Sequence, residues 1–283
     1  CFILDNGSVK CWGENSYGQL GLGDNNTRGD NSSEMGENLT IVDLGSGRTA
    51  TAIATGDSHT CAILDNSSVK CWGANASGQL GLGDDDNRGD GSASGGMGDS
   101  LPAVELGSGR TAKSITTGTG YTCVLLDDAS VKCWGNGFYG QLGNKKKGVS
   151  NVFNSKPEDN AIDLGDGIIV TAIAAGNFHT CAILDNSSIK CWGFNASGQL
   201  GLEHTSLIYR SSELQDNLNA VDLGPGRTAR GITAGDNQTC AILDDASIKC
   251  WGSNTAGQLG LGDNSNRGDN SSEMGGNLPV ISL

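Results

Sequence analysis

The chain predicts an all-β fold of β-propeller-type blades, each of four antiparallel strands, in about five repeats of roughly 60 residues. Three observations carry this. Cysteine pairs with nine residues between them recur five times, at Cys1/Cys11, Cys61/Cys71, Cys123/Cys133, Cys181/Cys191 and Cys240/Cys250, and use every cysteine present. The first cysteines of successive pairs are 60, 62, 58 and 59 residues apart. Finally, short apolar runs alternate with Gly, Asn, Asp and Ser clusters, and 45 of the 283 residues are glycine, a turn-rich β composition.

The period outweighs length as a guide to organisation. Residues 1–283 read as a single repeat domain with units 1–60, 61–122, 123–180, 181–239 and 240–283, the last truncated. The chain starts inside a unit and stops where the others continue into G-x-G-R-T-A, so it is expected to be an internal piece of something longer.

The hairpin is the clearest element. In C-A-I-L-D-N-S-S-V-K-C-W-G (residues 61–73), two apolar runs flank the turn signal Asp65-Asn66-Ser67-Ser68. A three-residue loop sets Leu64 opposite Ser68, Ile63 opposite Val69 and Cys61 opposite Cys71. Directly opposed Cα atoms lie about 4.5–5.5 Å apart, within disulfide range. A crosslink of this loop length contributes about 2.5–3 kcal/mol through loop-closure entropy. Free buried thiols are the competing reading, disfavoured because no cysteine is left over; zinc is disfavoured further by the lack of C-x-x-C knuckles and by only three histidines.

Two further strands are read ahead of each hairpin. One set comprises residues 41–44, 101–106, 161–164 and 220–223, each followed by a glycine turn; the other comprises 49–54, 111–116, 170–175 and 228–233, rich in Thr, Ile and Ala. G-Q-L-G follows every hairpin, with glycines suited to positive-φ turns and a leucine placed to plug the space between blades.

The string C-W-G-x-N-x-x-G-Q-L-G-L-G-D, preceded by H-T-C-A-I-L-D, resembles the repeat of the regulator of chromosome condensation family, in a cysteine-bearing, extracellular-type variant. The likeness covers essentially the whole chain. Units three and four depart from it after Gly143 and Leu202. The resemblance implies a protein-binding propeller, usually a closed ring of seven blades, so this chain is part of such a ring or an incomplete, open array. It does not imply one activity, because fold alone does not select function.

The formal net charge of −14 argues against nucleic acid, which requires phosphate neutralisation by Lys and Arg; Lys145–Lys147 is the sole dense basic run. No apolar stretch has the length of a membrane span. Trp12, Trp72, Trp134, Trp192 and Trp251 share one repeat position and read as blade core rather than a chromophore cluster. His59 and His179 precede hairpin cysteines, but Tyr121 and Gln238 replace them in units three and five, and His204 has no recognisable partner. With no spare thiol and no G-x-S-x-G, the chain reads as non-enzymatic, without a cofactor.

Loops 24–31, 84–91 and 263–270 resemble half of a calcium loop, with candidate ligands Asp24, Asp30, Asp84, Asp86, Asp90, Asp263 and Asp269. Arg stands at the fifth position, where calcium loops carry Asp or Asn, so an Arg-braced turn is the favoured reading. The Arg-Gly-Asp tripeptides at 28–30, 88–90 and 267–269 share these turns, which gives them a structural origin rather than one in adhesion. Sequons for N-linked glycans begin at Asn6, Asn25, Asn31, Asn38, Asn66, Asn75, Asn186, Asn195, Asn237 and Asn270, and most are expected to be reachable. Disulfides and sequons together point to a secreted or cell-surface, extracellular location.

Two functions compete on these grounds. The first is a structural building block of a surface appendage, layer or fibre, with itself or other extracellular proteins as partners. The alternative is a closed propeller that binds a protein or glycan through variable loops, chiefly residues 143–160 and 203–219.

Overall fold

A computed structural model describes residues 1–92, 96–143, 153–154, 156–157, 161–208, 211–214 and 218–282. Its strands form five antiparallel sheets. The first pairs β1 (Phe2–Ile3) with β2 (Val9–Lys10). The second orders β3 (Ala50–Thr55), β4 (His59–Leu64) and β5 (Val69–Gly73); the third orders β6 (Ala112–Gly118), β7 (Tyr121–Leu126), β8 (Val131–Asn136) and β9 (Phe153–Asn154). The fourth holds β10 (Val170–Ala175), β11 (His179–Leu184) and β12 (Ile189–Gly193), and the fifth β13 (Ala229–Ala234), β14 (Gln238–Leu243) and β15 (Ile248–Gly252).

The hairpin register is the one the spacing predicts: Ile63 opposes Val69 and Cys61 opposes Cys71. Leu64 N donates to Ser68 O at 2.9 Å, so alternation along the ladder brings the cysteines to a non-hydrogen-bonded position, the closer kind of pair. The sulfurs of Cys61 and Cys71 are bonded, with Cα atoms 4.0 Å apart. Cys1 is bonded to Cys11 at the same Cα separation, and Cys123 to Cys133, Cys181 to Cys191 and Cys240 to Cys250 at 4.1 Å, which leaves no cysteine free. These separations fall below the expected range of about 4.5–5.5 Å for opposed residues, on the side of the closer, non-hydrogen-bonded kind of pair. Cys133 and Cys250, the second members of their pairs, are buried with the tryptophans that follow them. Each loop closes on a residue with positive φ, such as Ser67 at 63°.

The two strand sets between hairpins have different destinations. The Thr- and Ala-rich strand pairs with the hairpin that follows it, as β3 does with β4. The other set closes the sheet of the hairpin before it, through single ladder bonds: Val42 N to Val9 O, Val104 N to Val69 O, Val221 N to Ile189 O and Ile281 N to Ile248 O. This fourth element is an extended edge segment rather than a fully paired strand. The glycine turn separating the two sets, with Gly45 and Gly47 at φ 108° and 68°, redirects the chain from one sheet to the next.

The chain divides into two compact units. One holds residues 1–128, 132–136 and 153–160; the other holds 129–131, 137–152 and 161–283. In the first, one core gathers Val9, Cys11, Leu20, Leu44, Leu64 and Trp72, and another Cys61, Val69, Cys71, Leu80, Val124 and Trp134. In the second, Cys181, Ile189, Cys191, Leu200, Val221, Leu243 and Trp251 form the equivalent core. Disulfide, tryptophan and the leucine of G-Q-L-G therefore bury together. Opposite the disulfide, the hairpin lysine caps loop carbonyls: Lys70 Nζ donates to Leu44 O and Gly98 O, and Lys249 Nζ to Leu223 O and Gly275 O.

Candidate interaction site

Neighbouring repeats are fastened by one backbone carbonyl. Within the second unit, Gln141 O of the G-Q-L-G turn accepts Thr180 Oγ1 at 2.9 Å and Trp192 Nε1 at 3.0 Å; Gln199 O accepts Thr239 Oγ1 and Trp251 Nε1. In the first unit Gln79 O serves Thr122 and Trp134 in the same way. This holds the turn of one repeat over the open end of the next hairpin. Gly193 permits the approach: a Cβ there would lie 2.6 Å from Phe178 O and 3.2 Å from Gln141 Cα.

At each such junction three positions meet. The residue after C-W-G bonds back to the residue preceding the hairpin, as in Ala74 N to Ser58 O, Asn136 N to Gly120 O, Phe194 N to Phe178 O and Ser253 N to Asn237 O. The residue before the G-Q-L-G glycine is the third, since its turn is the one clamped over that end: Tyr17, Ser77, Tyr139 and Ser197 respectively. Three junctions thus carry small or polar residues, with a single tyrosine. The remaining one carries Tyr139, Phe178 and Phe194, together with Phe138 beside Tyr139.

These four aromatics, all in the second unit, form one cluster. Tyr139 is central, its ring centroid 4.9 Å from Phe138, 5.0 Å from Phe178 and 4.9 Å from Phe194. The rings cross at 84°, 56° and 58°, and Phe178 meets Phe194 edge-on at 6.4 Å. Phe138 is 55% exposed and the other three are half-buried. Tyr139 N bonds Gln141 Oε1 at 2.9 Å and Gly140 N bonds Gly137 O at 3.0 Å, so the turn presenting the rings is fixed. The divergent loop of repeat four starts alongside, where Gly193 and Ile208 exchange backbone bonds. Most of the two loops named as contacts, residues 144–152, 155, 158–160, 209–210 and 215–217, lies outside the described residues. The aromatics do not stand out as a site in the sequence because they are spread from 138 to 194; the usable signal is their replacement of Ser, Ala, Asn and Gly at fixed repeat positions.

The remaining candidates are structural. His59 and His179 are buried, and burial lowers their pKa to about 4. His59 Nε2 meets Thr122 Oγ1 at 2.9 Å, and that hydroxyl already gives its proton to Gln79 O, so His59 donates and is the Nε2–H tautomer. His204 Nδ1 accepts Ser206 N, a loop-internal bond. Trp72, Trp134, Trp192 and Trp251 are buried core, whereas Trp12 is 46% exposed. Asp24, Asp84 and Asp263 pair with Arg28, Arg88 and Arg267, and the Arg267 hydrogen bond holds Asp263 below the usual carboxylate range. The arginines of the Arg-Gly-Asp tripeptides are therefore turned inward. Asp30, Asp90 and Asp269 take bonds from Asn31, Ser92 and Asn270, Asp86 donates its backbone N–H to Asp84, and among the described residues no group of three His, Cys, Asp or Glu is arranged to hold a metal.

Two glycan sites need correction. Asn75 and Asn195 are fully buried, their amides spent on the loop that follows: Asn75 Nδ2 donates to Asp84 O and Oδ1, and Leu80 N donates to Asn75 Oδ1. Asn6, Asn25, Asn31, Asn38, Asn66, Asn186 and Asn270 are exposed and Asn237 is half-buried. Among the described residues no helix is long and apolar enough to cross a membrane.

Disulfide-stapled, clamped antiparallel sheets with one differentiated junction define a propeller-type repeat protein. The regulator of chromosome condensation (RCC1) repeat matches residues 1–19, 50–79, 112–141, 170–199 and 230–258, and in a second form residues 128–183, so the chain belongs to that family. It is 29% identical over 260 residues to the ultraviolet-B receptor UVR8 of Arabidopsis thaliana, across 90% of this chain and 51% of that protein. Human WBSCR16 superposes with a TM-score of 0.75 at 18% identity, over 99% of this chain and 63% of that one. Yeast RCC1 (Prp20), solved with Kap60 bound, gives 0.68 at 21% identity, over 91% and 54%. At these identities the two structures establish the fold alone. The chain spans about half the length of UVR8.

Proposed function

We propose that the chain is a non-enzymatic binding module that recognises a protein partner through the face bearing Phe138, Tyr139, Phe178 and Phe194. The observation that carries this is the concentration of aromatics at one junction of four, where repeat symmetry and folding require none. Clustered, partly exposed aromatics are the usual anchors of protein interfaces. The relatives agree in kind, one being named a receptor and another having been solved with a protein bound. The building-block reading rests on repetition and crosslinks alone, and the relatives lend it no support. We place the module outside the cell, on the strength of five disulfides and exposed sequons.

The test is affinity capture from the native source with two baits, the native chain and a Tyr139→Ser/Phe178→Ser/Phe194→Ala variant. Repeat two carries Ser77, Ser58 and Ala74 at the same positions, so the fold tolerates these residues. Proteins retained by the native bait and lost with the variant support the reading. Identical captures from both baits refute it.

A further inference from the structure

The loop that follows G-Q-L-G is pinned in the same way in three repeats. Asp24 Oδ1 accepts Asn26 N at 2.8 Å and Asn15 Nδ2 at 3.3 Å; Asp84 Oδ1 accepts Asp86 N and Asn75 Nδ2, and Asp263 Oδ1 accepts Ser265 N and Asn254 Nδ2. The second carboxylate oxygen holds the arginine four residues on. Repeat four departs at both positions, with His204 for the aspartate and Ile208 for the arginine. His204 Nδ1 takes the acceptor's place: Ser206 N donates to it at 3.1 Å, and Asn195 Nδ2 stands 3.4 Å away. The asparagine amide is oriented by its other end, since Asn195 Oδ1 accepts Leu200 N at 3.0 Å. Two donors therefore face Nδ1, which makes His204 the Nε2–H tautomer. An aspartate remains an ionised acceptor throughout the range of about pH 5 to 8, where imidazole is the side chain that changes charge.

We propose that His204 is a pH-sensitive latch on residues 203–208, closed by the neutral imidazole and opened by its protonation, which releases the strand end that presents Phe194. An imidazolium carries a hydrogen on both nitrogens. Its Nδ1–H would point at Ser206 N–H and the Asn195 amide, and no arginine pair is left to hold this loop. The effect reaches the aromatic cluster by two short paths. Gly193, before Phe194, exchanges backbone bonds of 2.8 and 3.1 Å with Ile208; Asn195, after it, donates to His204 O at 2.6 Å and Ser206 O at 3.1 Å. Phe194 is thus gripped on both sides by the loop that the latch holds. His204 is half-buried and residues 205–207 are exposed, so a proton reaches the ring without unfolding. The charged neighbours are engaged elsewhere. Glu203 accepts Met274 N, and on that segment Glu273 accepts Gly268 N and Asn270 N, Asp269 accepts Asn270 Nδ2, and Arg267 pairs with Asp263. Control of partner binding by the latch rests on the binding-module reading and adds its regulation.

The test is hydrogen–deuterium exchange, read amide by amide on the intact disulfide-bonded chain at pH 7.5 and 5.5 and corrected for the intrinsic pH dependence of exchange. A contact that needs a neutral imidazole weakens about tenfold for each pH unit below the titration midpoint. Protection of Ser206 N and Ile208 N is therefore expected to fall about tenfold on acidification. Ser265 N and Arg267 N, at the same positions of repeat five, should keep theirs, which separates local opening from the general loss of stability set by His59 and His179. In a His204→Asp/Ile208→Arg chain, which carries the pair found in repeats one, two and five, the fall at Ser206 and at position 208 should vanish. Equal loss in both repeats, no loss in repeat four, or an unchanged loss in the double variant overturns the latch. For the binding face, proteins captured by the native bait at pH 7.5 should elute at pH 5.5 and stay on the His204→Asp/Ile208→Arg bait. Elution from both baits alike, or from neither, overturns the control of binding even where the loop opens. If the aromatic variant captures the same proteins as the native bait at pH 7.5, the binding reading itself falls, and the exchange result then bears on the latch alone.

Discussion

Acid stability offers a sharp test of how these repeats are fastened. An exposed imidazole takes its proton near pH 6.5, whereas buried His59 and His179 do so only near pH 4. Between those values the unfolded chain binds more protons than the folded one, so stability falls as pH falls. Integrating the two titrations from pH 7 to pH 5 gives a loss of about 2 kcal/mol per histidine. Few other groups interfere, since carboxylates held low, such as Asp244 and Asp263, release their stability only below about pH 5. Repeat five supplies the control. Gln238 occupies the histidine position and keeps the same backbone bond, Gly235 N to Gln238 O at 2.9 Å, as Gly56 N makes to His59 O at 2.8 Å. A His59→Gln/His179→Gln chain should therefore fold and lose most of the pH slope. The assay is urea unfolding followed by tryptophan fluorescence at half-unit steps from pH 7 to 5, without reductant. Each single variant should remove about half of the slope. An unchanged slope in the double variant would refute the assignment of these imidazoles as neutral, buried fasteners.

The other expectations are simpler. Asn75→Ala removes three hydrogen bonds of 2.9–3.0 Å and leaves buried Leu80 N unpaired, at a cost of about 3 kcal/mol in urea unfolding. Replacing Cys61 and Cys71 together by alanine should cost about 2.5–3 kcal/mol, read as a lower unfolding midpoint that added reductant no longer shifts at that hairpin. In protein secreted from eukaryotic cells, glycopeptide mass spectrometry should find Asn75 and Asn195 bare and sugar confined to the exposed sequons; glycan on either buried asparagine would contradict the fold.

Local chemistry made the hairpin legible. Nine residues between cysteines, a turn signal at the midpoint and alternating apolar residues determine register, because side-chain period and turn length leave one arrangement that buries Val69 and pairs the cysteines. The same arrangement recurs down to the pairing of Cys133 with Cys123 and of Cys250 with Cys240. The Asp-x-x-x-Arg loops were legible for the same reason: partners four residues apart need no distant help. The destination of strands 41–44 and 101–106 was not, since edge segments with one ladder bond carry no local mark of which sheet they join. Nor was the burial of Asn75, which a sequon pattern cannot distinguish from an exposed loop asparagine.

By itself, then, the sequence determined the repeat, the antiparallel hairpin and its crosslink, all set by interactions within about a dozen residues. Only the tertiary structure decided which residues cross between repeats. One glutamine carbonyl gathers a threonine and a tryptophan from the next hairpin, a buried histidine donates to a threonine some 60 residues away, and four aromatics from three separate turns meet in one cluster. The reason is physical: a repeated unit exposes the same groups at every junction, and a site arises only where packing brings together the few residues by which one junction departs from the rest.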